Sequence, residues 1–291
     1  MRRVFLTTVK RGSNKELTGY LLELNWYEGT IKQKVAIPEP SIEKEGFWNP
    51  RGGNRGCRGI KHHNGFLYVA TATTIRKLDR TLNLVQTITH PLFSGIHDIL
   101  VDDEGITISC SLRDLILKVD FEGNTLWKKF LGPYEDKDTM HINNLCVHQG
   151  NLLFLSCKNK QIYELNKNGS CQLLIEDGGL GAPHDICSLP NGNIAVNNTQ
   201  GQSVCIYSLE KHKRVRTIST NVHSTKHRSV HFARAGWQRG MTHFAGASYL
   251  VGTSPLTVFL LNLQTGKVDK IVKLSNNVAH CSYNICVTED F

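Results

Sequence analysis

Short apolar runs of about five residues fill the chain, separated by polar turns, and no segment repeats with helical period. Phe66-Leu67-Tyr68-Val69-Ala70 precedes a second run from Thr74 to Asp79; Ile106 to Cys110 precedes Asp114 to Asp120; Leu152 to Cys157 precedes Gln161 to Leu165. Val, Ile, Leu and Thr dominate these runs, the composition that suits a pleated surface. The turns between them carry Asp, Asn and Gly, as in Asp102-Asp103-Glu104-Gly105, Phe121-Glu122-Gly123-Asn124 and Asn166-Lys167-Asn168-Gly169. The pattern predicts an all-β protein.

One template recurs six times: a pair of polar or small residues, an apolar residue, a short strand, a turn with Gly, and a second strand. The pairs with their following residue are Arg58-Gly59-Ile60, His97-Asp98-Ile99, Asn143-Asn144-Leu145, His184-Asp185-Ile186, Arg239-Gly240-Met241 and Tyr283-Asn284-Ile285. They stand 39 to 55 residues apart, the length of a four-stranded propeller blade. The sixth copy has room for an inner strand only, His280 to Thr288. The N-terminus offers the missing outer strands in Val4 to Lys10, Tyr20 to Asn25 and Thr30 to Ile37. Pairing them closes the ring and removes an open sheet edge. The fold predicted is one six-bladed β-propeller spanning residues 1–291, its last blade completed by residues 1–40. An open β-sandwich would leave the six matching units unexplained. Two irregular connectors, 41–57 with Pro50, Gly52, Gly53 and Gly56, and 219–238 rich in His and Arg, lead into template positions occupied by Arg. They are expected to cross one face of the propeller.

Composition adds limits. Of 291 residues, 40% are hydrophobic and 20% charged, a globular composition, and no apolar stretch reaches the length of a membrane span. Arg2, Arg3, Lys10 and Arg11 bracket only a short apolar run, too short for a secretion signal. Nine cysteines without a CxxC pair then read as reduced thiols of a cytoplasmic protein. The net charge of +9 gathers in Lys211, Lys213, Arg214 and Arg216, and in Lys226, Arg228, Arg234 and Arg239. With no zinc-finger spacing and no aromatic RNA-binding motif, these favour small anions over nucleic acid. No membrane partner is expected, and a homo-oligomer is allowed.

The chain resembles an uncharacterised family of β-propeller-like proteins. The resemblance rests on His97-Asp98-Ile99, His141-Ile142-Asn143-Asn144-Leu145, Pro183-His184, Arg239-Gly240, Val251-Gly252-Thr253-Ser254 and Tyr283-Asn284-Ile285. That family carries a longer insertion than this chain has between Ser254 and Val258, and the resemblance implies the fold without an activity. The chain is also similar at fold level to six-bladed NHL-type and lactonase-like propellers.

Equivalent template positions on successive blades ring one axis. The first ring reads Arg58, His97, Asn143, His184, Arg239 and Tyr283; the second reads Gly59, Asp98, Asn144, Asp185, Gly240 and Asn284. His141, two before Asn143, falls on the same side of its strand. His97, His141 and His184 are therefore candidate ligands of one divalent metal ion, zinc by preference, with iron, copper and manganese as alternatives. Arg58 and Arg239 suit an anionic group and Tyr283 proton transfer. Asp98 and Asp185 are candidates for fixing the imidazole tautomers, or simply for tying strand starts to neighbouring loops. Calcium would instead use the oxygens of Asp98, Asn144, Asp185 and Asn284. The layout resembles the peptide-amidating lyase propeller, where three His hold zinc beside an Arg and a Tyr. Trp237 is placed at the pocket mouth, and His62, His63, His148 and His212 at the surface. The function expected is a metal-dependent lyase or hydrolase acting on a small anionic substrate in the channel. The alternatives are a non-catalytic propeller binding a protein or glycan through its loop face, and an oxidoreductase with a His-ligated metal.

Overall fold

The apolar runs are strands, and they come in sets of four. The computed structural model describes residues 2–11, 19–38, 56–132, 137–223, 229–230, 233–289 and 291. Three N-terminal strands, β1 (Arg3–Lys10), β2 (Tyr20–Asn25) and β3 (Thr30–Ala36), lead the chain. Blade 1 holds β4 (Ile60–His63), β5 (Phe66–Ala70), β6 (Ile75–Leu78) and β7 (Leu84–Ile88). Blade 2 holds β8 (Ile96–Val101), β9 (Ile106–Cys110), β10 (Leu115–Val119) and β11 (Thr125–Phe130). Blade 3 holds β12 (Ile142–His148), β13 (Asn151–Ser156), β14 (Gln161–Leu165) and β15 (Cys171–Glu176). Blade 4 holds β16 (His184–Ser188), β17 (Asn193–Asn198), β18 (Ser203–Ser208) and β19 (Lys213–Ser219). A two-stranded ribbon, β20 (Ser229–Val230) and β21 (Ala233–Arg234), precedes blade 5, made of β22 (Gln238–Ala245), β23 (Ser248–Thr253), β24 (Thr257–Asn262) and β25 (Val268–Lys273). The last strand, β26 (His280–Thr288), is the inner strand of blade 6, in the order β26-β1-β2-β3. The result is a six-bladed antiparallel propeller. Among the described residues a single turn of 3₁₀ helix, Ser111–Arg113, is the only helical element, and no helix is long and apolar enough to cross a membrane. All nine cysteines are free thiols.

Burial follows position within the blade. The middle strands β9, β10 and β18 are buried along their whole length because a neighbouring blade covers each face. The outer strands β7, β11 and β19 are mostly exposed, which explains their polar content. The apolar core is divided among six seams. Tyr68, Ile75 and Ile88 of blade 1 pack on Ile99, Ile108 and Leu117 of blade 2. Phe154 packs on Ile116 between blades 2 and 3, and Tyr207 on Leu155 between blades 3 and 4. Phe259 packs on Ile206, Leu250 on Leu6, and Phe5 on Leu67 across the remaining three. Burying each such side chain stabilises by roughly 1.5–3 kcal/mol, so a blade that leaves the ring exposes two seams.

The ring closes through β1 against β26, paired from Arg3↔Thr288 to Lys10↔His280. The template pairs lie at irregularities in the inner strands. In blade 2, Ile96 pairs with Cys110 and Ile99 with Ile108, so His97 and Asp98 stand against one partner residue. The same two-against-one count holds Asn143 and Asn144 between Ile142 and Leu145, and Arg239 and Gly240 between Gln238 and Met241. Asp185 and Tyr283 are single extra residues. These are β-bulges, which re-aim side chains that regular pleating would send to alternate faces.

The second member of each pair ties its blade to others. Asp98 Oδ2 accepts hydrogen bonds from Asn144 Nδ2 at 2.6 Å and Leu145 N at 3.1 Å, and its Oδ1 accepts from Asn284 Nδ2 at 3.0 Å. Asn144 Oδ1 accepts from Ile186 N at 2.7 Å. Asp185 Oδ2 accepts from Gly240 N at 2.7 Å and from Asn197 Nδ2 at 3.2 Å. Blade 1 has Gly59 in this slot, where a Cβ would meet the backbone of Asp98 and Ile99 at 2.9 Å. Gly240, at φ +81°, likewise leaves room for Asn284 and Ile285. Burial raises the Asp98 carboxyl, against the opposing pull of the Lys61 charge and of these donors. Burial pushes Asp185 up to about 7, opposed by Gly240 and Asn197.

Two outcomes follow from this architecture. Deleting residues 280–291 removes β26 and should abolish cooperative thermal unfolding followed by circular dichroism; an unchanged sharp transition would contradict the closure. The buried carboxylates should also respond differently to amide replacement. Asp98→Asn sets an NH₂ group against a donor and should cost about 1–3 kcal/mol. Asp185→Asn keeps one carbonyl oxygen for both donors and should be tolerated. Because its folded pKa is raised, the Asp185 contribution is complete below about pH 4 and is lost as pH rises through about 7, worth up to about 4 kcal/mol. Relative to the parent protein, Asp185→Asn should therefore melt higher at pH 8 than at pH 5, and an equal difference at both pH values would contradict this assignment.

Candidate functional site

Five first members of the template pairs, Arg58, His97, His184, Arg239 and Tyr283, gather with His141 at one mouth of the channel, while the first member of blade 3, Asn143, donates to the Pro183 carbonyl at 2.8 Å. The His97 ring lies 4.8 Å from that of His141, 6.3 Å from that of His184 and 5.6 Å from that of Tyr283, centroid to centroid. The Tyr283 hydroxyl is hydrogen-bonded to His97 Nδ1. The guanidinium carbons of Arg58 and Arg239 stand 6.0 Å and 5.6 Å from the centre of the Tyr283 ring. Six side chains from blades 1 to 6 thus converge, and five of them are at least nine-tenths buried. His141 is the more open member, with its side chain 26% exposed.

Hydrogen bonds fix two of the imidazole tautomers. His184 Nδ1 lies 2.8 Å from the carbonyl oxygen of Ala182 and 2.9 Å from Thr199 Oγ1. A carbonyl can only accept, and the Thr199 hydroxyl donates to the carbonyl of Gln238, so His184 carries its proton on Nδ1. His141 Nδ1 lies 3.0 Å from the Asp138 carboxylate. Burial works to raise the Asp138 carboxyl, but hydrogen bonds and charge from His141 and Lys158 hold it below the usual range. His141 therefore also carries its proton on Nδ1. In neither ring does Nε2 have a hydrogen-bonding partner among the described residues. Burial, reinforced by His141 and the charges of Arg58 and Arg239, depresses His97 well below the usual imidazole range. Burial with the charges of Arg239 and Arg11 does the same to His184, so both stay neutral at pH 7.

None of the six clustered side chains is acidic. Arg239 is 7% exposed, and its buried Nε has no hydrogen-bond partner among the described residues. Arg58 Nη1 donates to the carbonyl of Ile96 at 2.7 Å. Asp98 and Asp185 do not serve the site as expected. Their oxygens accept from amide and backbone N–H groups of neighbouring strands, so they neither fix an imidazole tautomer nor stand as free catalytic carboxylates. Of the oxygens proposed for calcium, both of Asp98, those of Asn144 and Asn284, and Oδ2 of Asp185 already accept hydrogen bonds. Tautomer control falls instead to Asp138, Thr199 and the Ala182 carbonyl, which lie in loops and at a strand end outside the repeat template. The conventional signal for Asp138 is present in the sequence, a carboxylate three residues before His141.

The donor set suits a divalent metal in one respect: Nδ1 of each His is engaged, which is how metal-bound imidazoles are held. Yet among the described residues no three His, Cys, Asp or Glu side chains are placed to share one ion. His148, read as a surface residue, is buried in β12 with Nδ1 bonded to Ser188 Oγ at 2.8 Å. His243 is exposed and bonds the carbonyl of Gly246, away from the cluster. Within the first basic cluster, Arg214 pairs with Asp177 and Arg216 binds the carbonyls of Leu263 and Gln264, so both tie adjoining parts of the ring. Lys226 and Arg228 of the second cluster lie outside the described residues, as do Pro50, Gly52 and Gly53 of the first connector.

No protein-family model matches the chain, and no curated protein matches it in sequence. Solved structures do share its fold. A protein of unknown function from Bacteroides caccae matches with a TM-score of 0.69 at 15% identity, over 98% of each chain. A chain of a nidogen/laminin complex matches with a TM-score of 0.68 at 12% identity, over 100% of this chain and 99% of that one. A catalytically inactive histidine-to-alanine variant of virginiamycin B lyase from Staphylococcus aureus, with quinupristin, matches with a TM-score of 0.57 at 11% identity, over 76% of this chain and 71% of that one. At these identities the likeness establishes a propeller fold and no more.

Proposed function

We propose that the protein is a lyase that binds a small organic anion at this channel mouth. The observation that carries the reading is Arg239, a guanidinium at least nine-tenths buried whose Nε has no hydrogen-bond partner among the described residues, set against Tyr283 and the neutral imidazoles of His97 and His184. A buried charge without a counter-ion is costly, and an anionic ligand offsets that cost. With a carboxylate anchored between Arg58 and Arg239, two kinds of proton-transfer group surround the bound molecule. His141, its Nδ1 held by Asp138, aims Nε2 to take a proton from the carbon next to the carboxylate. The electron pair of that C–H bond forms a C=C bond and expels the β substituent. Tyr283 gives that substituent its hydroxyl proton and recovers one through His97. The virginiamycin B lyase likeness lends this reaction class further support. The same groups acting on water would give hydrolysis.

A second reading adds a divalent ion, zinc by preference, on Nε2 of His97, His141 and His184. The engaged Nδ1 atoms favour it, while the placement of the rings and the nearby guanidinium charges oppose it. Such an ion would polarise a substrate oxygen. Elemental analysis of protein purified without an affinity tag separates the two readings: one equivalent of metal, lost in His97→Ala and His184→Ala, selects the second.

The test of the lyase uses carboxylates with a β leaving group, followed by the absorbance of the new alkene. Tyr283→Phe and His141→Ala should each slow turnover by about 10²–10⁴-fold while leaving acetate binding in place. Arg239→Met should remove both turnover and acetate binding. Anion binding without turnover of any such substrate would make the protein a non-catalytic anion receptor. Acetate binding that survives Arg239→Met would overturn the site.

A further inference from the structure

His141 joins the mouth from just outside the repeat. It stands one residue before β12, and its φ of +55° is left-handed, an unfavourable conformation for a residue with a Cβ. Such a residue keeps its place only where its surroundings over-determine it. Those surroundings come from two blades. On the blade 3 side, Cys157 N donates to the carbonyl of His141 at 3.1 Å, while Ser156 Oγ and Lys158 N donate to the carbonyl of Met140 at 2.8 Å and 3.1 Å. On the blade 2 side stands Asp114, a fully buried residue that links the Ser111–Arg113 turn to β10. Its carboxylate accepts three successive backbone N–H groups. Oδ2 takes Thr139 N at 2.6 Å and Met140 N at 2.9 Å, and Oδ1 takes His141 N at 3.1 Å. The Thr139 hydroxyl donates to Oδ2 as well. Gly132 permits this close approach, because a Cβ there would meet Asp114 Oδ2 at 2.8 Å and Thr139 Oγ1 at 3.0 Å. Successive N–H groups that converge in this way form an anion-binding concavity, and here the anion is a side chain of the neighbouring blade.

We propose that Asp114 is a positioning residue for His141: it holds the backbone of residues 139–141 so that the His141 ring meets both Asp138 and His97. Among the described residues, its side-chain hydrogen bonds end on residues 139–141 and on no ring of the cluster. Asp138 engages Nδ1 at 3.0 Å, but it belongs to the same loop, three residues earlier. Asp114 holds that loop from another blade and so gives the ring a fixed point outside it. Without the carboxylate, three N–H groups lose their acceptor. His141 can then relax to a negative φ, which redirects its side chain. The inference rests on the lyase reading only for its effect on turnover, in which the His141 ring is the proton acceptor.

Asp114→Asn and Asp114→Ala test the assignment. Asn tolerates the left-handed φ of +44° at this position and retains one acceptor oxygen, whereas Ala removes both. Long-range proton–nitrogen NMR spectra of the imidazoles read the ring directly. In the parent protein His141 should give the pattern of a ring whose proton is held on Nδ1. Both variants should move the His141 signals towards those of a freely exchanging imidazole and leave those of His184 in place. Acetate binding, which depends on Arg239, should persist. Turnover of a carboxylate with a β leaving group should fall about 10²-fold in kcat with KM little changed, the cost of a displaced base. Variants that melt as folded proteins and keep the parent His141 signals would overturn the assignment, as would a parent ring that already exchanges freely. Outright unfolding of both variants would also overturn it, since Asp114 would then support the fold and not the ring. A parent protein that turns over no such substrate defeats the lyase reading alone, and the His141 signals still decide what Asp114 does.

Discussion

Everything in this propeller depends on one antiparallel ladder, β1 against β26. The inner strand of blade 6 comes from the C-terminus and the other three from the N-terminus, so the ring has no intact sixth blade until the chain ends meet. The pairing buries Phe5 on one seam and Leu6 on the next. Losing it exposes both seams together, which couples closure of the ring to the stability of the whole. It also positions chemistry: Tyr283 is the extra residue in this ladder.

The bulges explain how a repeated pair of residues serves two purposes. In an unbroken strand, neighbouring side chains point to opposite faces. Placing two residues against one changes that geometry, so the first residue joins the cluster at the mouth and the second engages a neighbouring blade. Asp98 bonds blade 3 through Asn144 and Leu145 and reaches Asn284 of blade 6, while Asp185 bonds blade 5 through Gly240. The site is consequently held by rigid inner strands and by hydrogen bonds among blades. Such support preorganises side chains at little further cost in entropy when a ligand binds.

Charge gives the mouth its chemical character. The guanidinia of Arg58 and Arg239 stand beside Tyr283, burial keeps His97 and His184 neutral, and the carboxylates nearest in sequence, Asp98 and Asp185, are engaged in structural bonds. The nearest carboxylate with a role in the cluster is Asp138, which is shared between His141 and Lys158. Under the lyase reading, this fixed positive charge would receive the substrate carboxylate, and preorganised charge of this kind would stabilise an enolate that develops during proton removal.

The sequence by itself determined the number of blades and the way the ring closes, because strand alternation and the recurring pair are local features repeated six times. It also singled out Arg58, His97, His184, Arg239 and Tyr283, since equivalent positions in a cyclic repeat must ring one axis. Only the tertiary structure decided which neighbours those residues have. The Asp98 and Asp185 carboxylates look the same beside their histidines in the sequence as any orienting group would, yet a bulge turns them to N–H donors on other strands. The partners of His184 are Thr199 and the Ala182 carbonyl, and that of His141 is Asp138; none of them occupies a repeat position. Periodicity reports what every blade has in common, whereas these contacts arise from loops that occur once, and their geometry exists only after the ring has formed.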